Sequence, residues 1–249
     1  MLNLKHDLPI PPWTKLGRRI ESLCRKALYD FSLLDKVDNL GIALSGGKDS
    51  LSLLYMLNAI SGRGFQKFNI FAFHVSGDFS CGPGVTESYL QEICRDLKVP
   101  FISCLSQQKR ESLECYSCSR ERRKLIFNAA KEAGVTTIAF GHHRDDSIQT
   151  LLMNLLHKAE FAAILPKLEM FDYGVTLIRP FIYVAEKEIK EFAKFYGFSR
   201  IVCQCPVGQN SLRKKVAHLI ESIEDIFPNT RDNLSQASLQ YGSDKAKKP

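Results

Sequence analysis

The sequence predicts an α/β protein built on a parallel sheet, with a basic helix in front of it. Short apolar runs alternate with amphipathic helical patterns along most of the chain. A repeated strand and helix unit pairs its strands in parallel, so helices are expected on both faces of the sheet. The 249 residues suffice for one such domain and a short appendage, and a hydrophobic content of 45% excludes a disordered or collagen-like chain.

The first element is a basic amphipathic helix from Thr14 to about Leu34. Apolar residues recur in it at helical spacing, and lysines and arginines lie mostly on its other faces. Residues 1–36 are therefore assigned to a basic N-terminal helical extension.

Strand and helix pairs follow the extension. Apolar runs predict strands at Asn39–Leu44, Phe68–Val75, Phe101–Cys104 and Thr137–Phe140, with a fifth at Val175–Ile178. Helical patterns begin at Ser50, about Val85, about Ser119 and Asp146, and cover Ala185–Tyr196 and Leu212–Asp225. No low-complexity linker interrupts the chain, so residues 37–240 are expected to form one domain and residues 241–249 a disordered basic tail.

Charge and cysteine content suggest a compartment and a partner. Lys+Arg number 34 and Asp+Glu 27, and the net charge of +7 favours a polyanionic partner such as nucleic acid. No apolar run approaches the roughly 20 residues of a membrane helix, and the start of the chain lacks a secretory signal, so a cytoplasmic protein without a membrane partner is expected. In a reducing compartment the eight cysteines are expected to be buried thiols, metal ligands or catalytic thiols.

The first motif with chemical content has the sequence SGGKDS and follows the first predicted strand. Its members are Ser45, Gly46, Gly47, Lys48, Asp49 and Ser50. Glycines let backbone amides face an anion, a helix N-terminus adds positive potential, and Lys48 adds a full charge. It is not a Walker A loop, because Ile42 stands where that motif requires glycine. Phosphate binding is therefore predicted, and a simple turn capped by Asp49 or Ser50 is the alternative.

The second motif places Cys115 and Cys118 at the entry to a helix. Two thiolates at this spacing can reach one metal centre. A run of cations follows directly and consists of Arg120, Arg122, Arg123 and Lys124. A redox dithiol, half of a zinc site and a solvated basic face are the alternatives. The second cysteine pair, Cys203 and Cys205, favours binding of a metal or a cluster.

The third motif, GHHRDD, runs from Gly141 to Asp146 after the fourth predicted strand. Open α/β sheets bind ligands at this end of their strands. His142 and His143 are neighbours in sequence, so one helix face cannot present both to a zinc ion, and zinc is the weaker interpretation. The structural alternative is a helix cap formed by Asp145 or Asp146.

The SGGKDS segment resembles the SGGxDS signature of the PP-loop ATP pyrophosphatases, which split ATP into AMP and pyrophosphate. The order of SGGKDS, CYSCSRERR, GHHRDD and a downstream cysteine segment narrows the resemblance to the tRNA 2-thiocytidine synthetase (TtcA) family, over about Lys15 to Gln240. The resemblance implies a Rossmann-like PP-loop fold, of the kind shared by adenine nucleotide alpha hydrolases.

The same resemblance implies ATP-dependent thiolation of tRNA, most directly of cytidine 32 in the anticodon loop. The C2 oxygen would be adenylated and then replaced by sulfur. The SGGKDS residues and Gly141 would bind ATP, with Lys48, Asp49 and Asp146 as catalytic residues and Asp49 as the partner of Mg²⁺.

A [4Fe-4S] cluster held by three cysteines is a further implication, with Cys115 and Cys118 as two ligands. The family's downstream segment is CxxC followed by glycine, whereas this chain has Cys203, Gln204, Cys205 and Pro206. Counting back from the QNSLR segment favours Cys205 as the third ligand, and counting forward from Gly197 favours Cys203. We adopt Cys205.

The implied partners are tRNA and a cysteine desulfurase relay that delivers sulfur. The tRNA is expected on the first helix and on a set of basic residues, namely Arg120, Arg122, Arg123, Lys124, Arg213, Lys214 and Lys215. A homodimer is one option for the oligomeric state.

Three other functions stay open. A tRNA 2-thiouridine synthetase of the same superfamily would share the ATP loop. A PP-loop amidating ligase would need that loop but not the cysteines. A non-catalytic zinc or cluster module that binds RNA would need the cysteines but not SGGKDS.

Overall fold

The computed structural model describes residues 9–77, 87–107, 115–198 and 212–242. The strands are β1 (Asn39–Ala43), β2 (Asn69–Ser76), β3 (Phe101–Leu105), β4 (Thr137–Ala139), β5 (Lys167–Met170) and β6 (Val175–Ile178). The helices are α1 (Lys15–Asp30), α2 (Lys48–Ile60), α3 (Glu87–Asp96), α4 (Cys115–Glu132), α5 (Arg144–Lys158), α6 (Glu186–Phe195), α7 (Leu212–Ile226) and α8 (Thr230–Tyr241).

All of these strands form one sheet in the order β3-β2-β1-β4-β6-β5. Strands β3, β2, β1, β4 and β6 run parallel to one another, which confirms the predicted parallel sheet. The edge strand β5 runs antiparallel to β6 and was not predicted. A short 3-10 turn at Phe171–Tyr173 closes at Gly174, whose φ of 63° suits glycine, and joins β5 to β6 as a hairpin. Strand β5 has only four residues, too few for an alternation of apolar and polar residues to be recognised in the sequence.

Successive side chains along each strand point to opposite faces of the sheet. Both faces are apolar here, and helices cover both. On one face, Leu40 and Ile42 of β1 pack in a cluster with α1, α2, α3 and α6. On the other face, Phe73 and Val75 of β2 pack with Ile126 of α4. This two-sided burial explains why the strands are nearly continuous apolar runs.

Helix α1 buries Ile20, Cys24 and Leu28 in the same cluster as the sheet face behind it. The helix begins at the N-cap Thr14, whose hydroxyl accepts a hydrogen bond from the Gly17 amide. The separate status of residues 1–36 as an extension, the domain at 37–240 and the tail at 241–249 stay predictions. Residues 243–249 lie outside the described part of the chain.

Several helix boundaries differ from those expected. Helix α2 begins at Lys48 rather than Ser50, α4 at Cys115 rather than Ser119, and α5 at Arg144 rather than Asp146. Helix α8 was not predicted, because its apolar residues are few and its outward face is polar. Within the described residues, no helix is both long and apolar enough to span a bilayer.

Candidate active site

Two of the predicted motifs meet at the carboxyl ends of β1 and β4. The chain passes from β1 outward to β2 and β3 on one side, and β4 lies on the other side of β1. The neighbours β1 and β4 therefore flank the point where the strand order reverses, which is where open α/β sheets bind ligands. SGGKDS follows β1 and GHHRDD follows β4, so the topology places both loops at this position.

The SGGKDS loop is held in a compact turn by its own serines. Gly46 has a φ of 82°, a backbone conformation that favours glycine. The Ser45 and Ser50 hydroxyl oxygens lie 3.1 Å apart, and Ser45 Oγ accepts a hydrogen bond from the Gly47 amide at 3.3 Å. Ser50 Oγ donates to the Gly47 carbonyl at 3.0 Å. The turn leads directly into the N-terminus of α2, which begins at Lys48.

Gly141 brings the end of β4 against the backbone of the SGGKDS loop. A Cβ atom at this position would lie 3.0 Å from the Asp49 carbonyl carbon and 3.1 Å from the Ser50 nitrogen. Any larger side chain would push the two loops apart. The structure thus gives Gly141 a packing role beside the predicted phosphate site.

Lys48 lies between two carboxylates. Its Nζ contacts Asp49 Oδ1 and Oδ2 at 2.9 Å each, and Glu186 Oε1 at 3.3 Å. Burial opposes the charge of Lys48, but the two carboxylates outweigh it and raise its pKa. Burial likewise opposes the charge of Glu186, while the hydrogen bond from Lys190 and the charge of Lys48 lower its pKa. Glu186 was not among the predicted site residues.

His143 and Asp146 form a reciprocal cap at the start of α5. His143 Nδ1 accepts from the Asp146 amide at 3.4 Å, and Asp146 Oδ2 accepts from the His143 amide at 3.1 Å. His143 Nε2 lies 3.4 Å from Asp146 Oδ2 and 3.8 Å from Asp49 Oδ1. The cap residue is therefore His143, with Asp146 returning the bond, and Asp145 takes no part in it.

Asp146 is an ionised carboxylate that a cation holds in place. Arg213 donates to its Oδ1 at 2.8 Å. Burial opposes ionisation, but His143, His142 and Arg213 together with the His143 amide keep the pKa of Asp146 below its ordinary value.

Asp145 instead ties two other helices to α5. Its Oδ1 accepts from Arg231 of α8 at 2.6 Å, and its Oδ2 accepts from the amide of Glu186, the first residue of α6, at 2.7 Å. Next to it, Arg144 donates to Asp232 of α8 at 2.5 Å. We call the four residues Arg144, Asp145, Arg231 and Asp232 the charge clasp. No sequence period reveals this pairing, because it joins two Arg-Asp dipeptides that are distant in the chain.

His142 lies half-buried beside Phe140. Its ring stacks on Phe140 with centroids 5.8 Å apart, and its Nδ1 is buried with no hydrogen-bond partner among the described residues. Burial lowers the pKa of His142 to about 4, so the ring is neutral at pH 7.

The predicted tRNA-binding residues divide into two groups. Arg213 pairs with Asp146, and Arg122 donates to the Val75 carbonyl at 3.2 Å. Both cations therefore face the carboxyl edge of the sheet. Exposed positions are taken by Arg120, Lys124, Lys214 and Lys215, and Arg123 donates to Ser119 within α4.

The cysteines occupy different parts of the molecule. Cys24 and Cys94 are fully buried core residues, and burial raises the pKa of the Cys94 thiol to about 12. Cys115 and Cys118 lie one turn apart in the first turn of α4. Cys203 and Cys205 lie outside the described residues. The described residues contain no group of three or more His, Cys, Asp or Glu that would hold a metal ion alone.

Comparison with known proteins agrees with this arrangement. The PP-loop domain family matches residues 14–202. A tRNA-cytidine(32) 2-sulfurtransferase from Syntrophotalea carbinolica is 33% identical over 230 residues, which cover 88% of both chains. Its counterpart from Legionella pneumophila strain Paris is 36% identical over 221 residues, or 85% of this chain and 77% of the relative.

One solved structure supports the fold. The U34-tRNA thiolase NcsA from Methanococcus maripaludis, solved with its [4Fe-4S] cluster, superposes with a TM-score of 0.69 and covers 89% of this chain and 77% of its own. Its sequence identity of 20% limits the likeness to the fold. The predicted PP-loop fold is thereby confirmed.

Proposed function

The chain belongs to the PP-loop domain family and to the family of the tRNA-cytidine(32) 2-sulfurtransferases, and on that premise we propose that it is an ATP-dependent tRNA sulfurtransferase. Its product is 2-thiocytidine at position 32 of the anticodon loop. The observation that carries the proposal is the SGGKDS loop at the strand reversal, with Gly141 packed against it. The substrate makes the cytoplasm the expected location.

The reaction needs two substitutions. The cytidine C2 oxygen attacks the α-phosphorus of ATP and pyrophosphate leaves, so the oxygen becomes part of a good leaving group. A sulfur nucleophile then forms a bond to C2, and AMP departs with that oxygen.

The loop residues support the first substitution. Backbone amides of Gly46 and Gly47 and the N-terminus of α2 bind the pyrophosphate end of ATP. Lys48, now held by Asp49 and Glu186, exchanges a carboxylate for phosphate oxygens when ATP enters. Its charge then stabilises the charge that develops on the departing pyrophosphate. Asp146 orients the His143 ring beside Asp49.

A magnesium ion fits this site as a partner of ATP. Asp49 offers hard carboxylate oxygens, and Mg²⁺ is commonly held by one or two carboxylates together with substrate phosphates. Asp49 and Asp146 are the residues that would hold it. When bound, the ion neutralises phosphate charge.

The cysteines fit a [4Fe-4S] cluster by their donor chemistry. Thiolate sulfur is the usual ligand of iron in such clusters, and Cys115 and Cys118 are one turn apart at the start of α4. We assign Cys205 as the third ligand. Cys115, Cys118 and Cys205 would hold the cluster, which would supply an iron site for sulfur delivered by a cysteine desulfurase relay. A homodimer is retained as a proposal.

The test combines nucleoside analysis with product analysis. Mass spectrometry of tRNA nucleosides from cells with and without the gene should show loss of 2-thiocytidine, and the purified protein should release AMP and pyrophosphate when given tRNA. Asp49→Asn should lower the rate of AMP and pyrophosphate release at least about a hundredfold, because it removes the carboxylate that would hold Mg²⁺ against the phosphates. Asp172→Asn, an exposed aspartate in the 3-10 turn, is the matched control. Release of ADP and phosphate, or unchanged 2-thiocytidine, would contradict the proposal.

A further inference from the structure

A cleft of about 600 Å³ lies between α1, α6 and α8. It shares a wall with the candidate active site. Arg144 lines the cleft and directly follows His143, and Ala185 lines it and directly precedes Glu186. The proposed mechanism does not use this space, whose size is in the range of small-ligand sites.

Cations surround the cleft. Arg19 and Lys26 of α1 and Arg144 of α5 all line it. Their carboxylate partners are Glu188, Asp30 and Asp232, and either the cation or its partner is largely exposed in each pair. Such exposed ion pairs contribute little stability, so a phosphate can replace the carboxylates. The Arg144 Nε is buried and has no hydrogen-bond partner among the described residues.

Two carboxamides face the same space from α8. Gln236 and Gln240 are one turn apart, both are exposed, and both line the cleft. A carboxamide has a donor and an acceptor and can pair with the edge of a base. RNA-binding proteins recognise unpaired bases in this way, through their exposed edges.

The walls of the cleft are preformed. Arg231 of α8 fixes that helix against α5 through the largely buried Asp145 carboxylate. On the opposite wall, the centroids of the Tyr183 and Phe31 rings are 5.7 Å apart. The Lys26 ammonium lies 4.9 Å from the centroid of the Tyr183 ring. A ligand therefore meets an ordered surface, which reduces the entropy lost on binding.

We propose that this cleft binds the unpaired nucleotide of the RNA that adjoins the cytidine to be modified. Its phosphate meets Arg19 and Arg144, and its base meets Gln236 and Gln240. The inference rests on the proposed function, because the modified cytidine must enter the site on the other side of the shared wall.

The experiment removes the carboxamides without changing charge. The full-length chain with Gln236→Ala and Gln240→Ala is compared with the wild type for the Kd of an unmodified tRNA transcript and for the KM of ATP. We expect the tRNA Kd to rise about tenfold, as for loss of one or two hydrogen bonds, and the KM of ATP to stay the same. Asn233→Ala removes an exposed carboxamide of α8 that does not line the cleft, and it should leave both values unchanged.

A second pair of variants tests the phosphate contact. Arg19→Gln should weaken tRNA binding, and its control Arg95→Gln removes an equally exposed arginine of α3 that also pairs with a carboxylate. A tRNA with an abasic ribose at the adjoining nucleotide completes the comparison. For the wild type, the Kd of the abasic tRNA should be about tenfold higher than that of intact tRNA. For the double glutamine variant, the two tRNAs should have the same Kd.

The outcomes separate the cleft from the function. If the wild type thiolates tRNA but the glutamine variant binds tRNA as tightly as the wild type, or if Asn233→Ala causes the same loss, the nucleotide site is overturned. Binding that depends on Arg19 and Arg95 equally is a general charge effect and also overturns it. A wild type that neither binds nor thiolates tRNA overturns the proposed function itself.

Discussion

Single residues at the candidate site act mainly through close backbone approach and through charge. Gly46 has a left-handed conformation, whereas at Gly141 a Cβ would crowd the Asp49 backbone at 3.0 Å. Lys48 and Asp146 are each held by opposite charges before any substrate is present. The loop is therefore ordered for phosphate binding in advance, and that order depends on a few atoms.

Gly141→Ala should separate β4 from the SGGKDS loop. The added Cβ would lie 3.0 Å from the Asp49 carbonyl carbon, so the backbone must shift, and we expect a loss of about 1–3 kcal/mol in the free energy of unfolding. The KM of ATP should rise about tenfold, because a small displacement misplaces the loop. Gly47→Ala is the control for the loss of stability alone, since its Cβ would meet only Ser45 Oγ at 3.4 Å. Urea unfolding compares the two variants and ATP kinetics follow Gly141→Ala, and equal losses of stability in the two variants would contradict the packing role of Gly141.

Cys205→Ser should cost both the cluster and thiolation, because a hydroxyl replaces a soft thiolate on iron poorly. Cys203→Ser should retain both. Iron content and cluster absorbance after anaerobic reconstitution distinguish the two. Loss of iron in Cys203→Ser alone would reverse the assignment, and full iron with full activity in both variants would remove the motivation for a three-cysteine cluster.

His142 predicts a pH dependence of stability. Its pKa is about 4 in the folded chain and about 6.5 in the unfolded chain, so the unfolded state binds an additional proton between these values. The contribution to stability is full above pH 6.5 and is lost as the pH falls towards 4, by about 2 kcal/mol at pH 5. Urea unfolding in EDTA at pH 7.5 and pH 5 should show this loss in the wild type and a smaller one in His142→Asn. His218→Asn, at an exposed histidine of α7, is the control, and an undiminished loss in His142→Asn would count against the assignment.

At the scale of elements, the site is assembled from helix N-termini that other helices hold in place. The amide of Glu186 begins α6 and donates to Asp145, and Glu186 in turn contacts Lys48 of α2. Asp145 is also bound by Arg231 of α8. Helices α5, α6 and α8 are thus connected through the largely buried Asp145 carboxylate, and α2 joins them through Glu186.

Arg231→Met should therefore lower the free energy of unfolding more than Asp232→Asn does. Asp145 is only 8% exposed, and loss of its cation leaves a buried carboxylate without its partner, which should cost about 3 kcal/mol. Asp232→Asn breaks the other half of the charge clasp, but Asp232 is 73% exposed, so we expect a loss below about 1 kcal/mol. Urea unfolding compares the two. A separate ATP titration should show weaker ATP binding in Arg231→Met, and the same small loss of stability in both variants would show that Asp145 does not depend on Arg231.

At the scale of the whole molecule, a group of exposed cations lies near the carboxyl edge of the sheet. These cations are Arg120 and Lys124 of α4 and Lys214 and Lys215 of α7. Helix α4 begins at Cys115, and α7 follows the segment of the chain that contains Cys203 and Cys205. Phosphate contacts of this kind provide affinity without sequence recognition.

The affinity for tRNA should fall steeply with salt, because each phosphate contact releases counterions. Lys214→Gln combined with Lys215→Gln should reduce the slope of log Kd against log salt concentration by about one unit or more. Lys67→Gln combined with Lys98→Gln removes the same charge at the opposite edge of the sheet and should leave the slope unchanged. Nitrocellulose filter binding over a range of salt concentrations measures it. A slope that both double variants reduce equally would contradict binding at the carboxyl edge.

Features formed by residues that are adjacent in the chain were predicted from the sequence, whereas contacts between distant segments were not. SGGKDS and GHHRDD were predicted at strand ends because glycine, charge and an apolar run are adjacent in the chain. The contact of Gly141 with Asp49, the bond of Lys48 with Glu186 and the charge clasp were not, since each joins distant segments and leaves no local period. Strand β5 and helix α8 were missed because neither has a strong apolar pattern.

The charge clasp also affects how a newly made chain matures. Arg231 pairs with Asp145, which precedes it by 86 residues, and α8 is the last described helix to leave the ribosome. A nascent chain that already has the whole sheet and the SGGKDS loop still carries Asp145 without its cation. Translation must pass residue 232 before α8 is locked against α5, so a chain that stalls earlier exposes an incomplete site to cellular proteases.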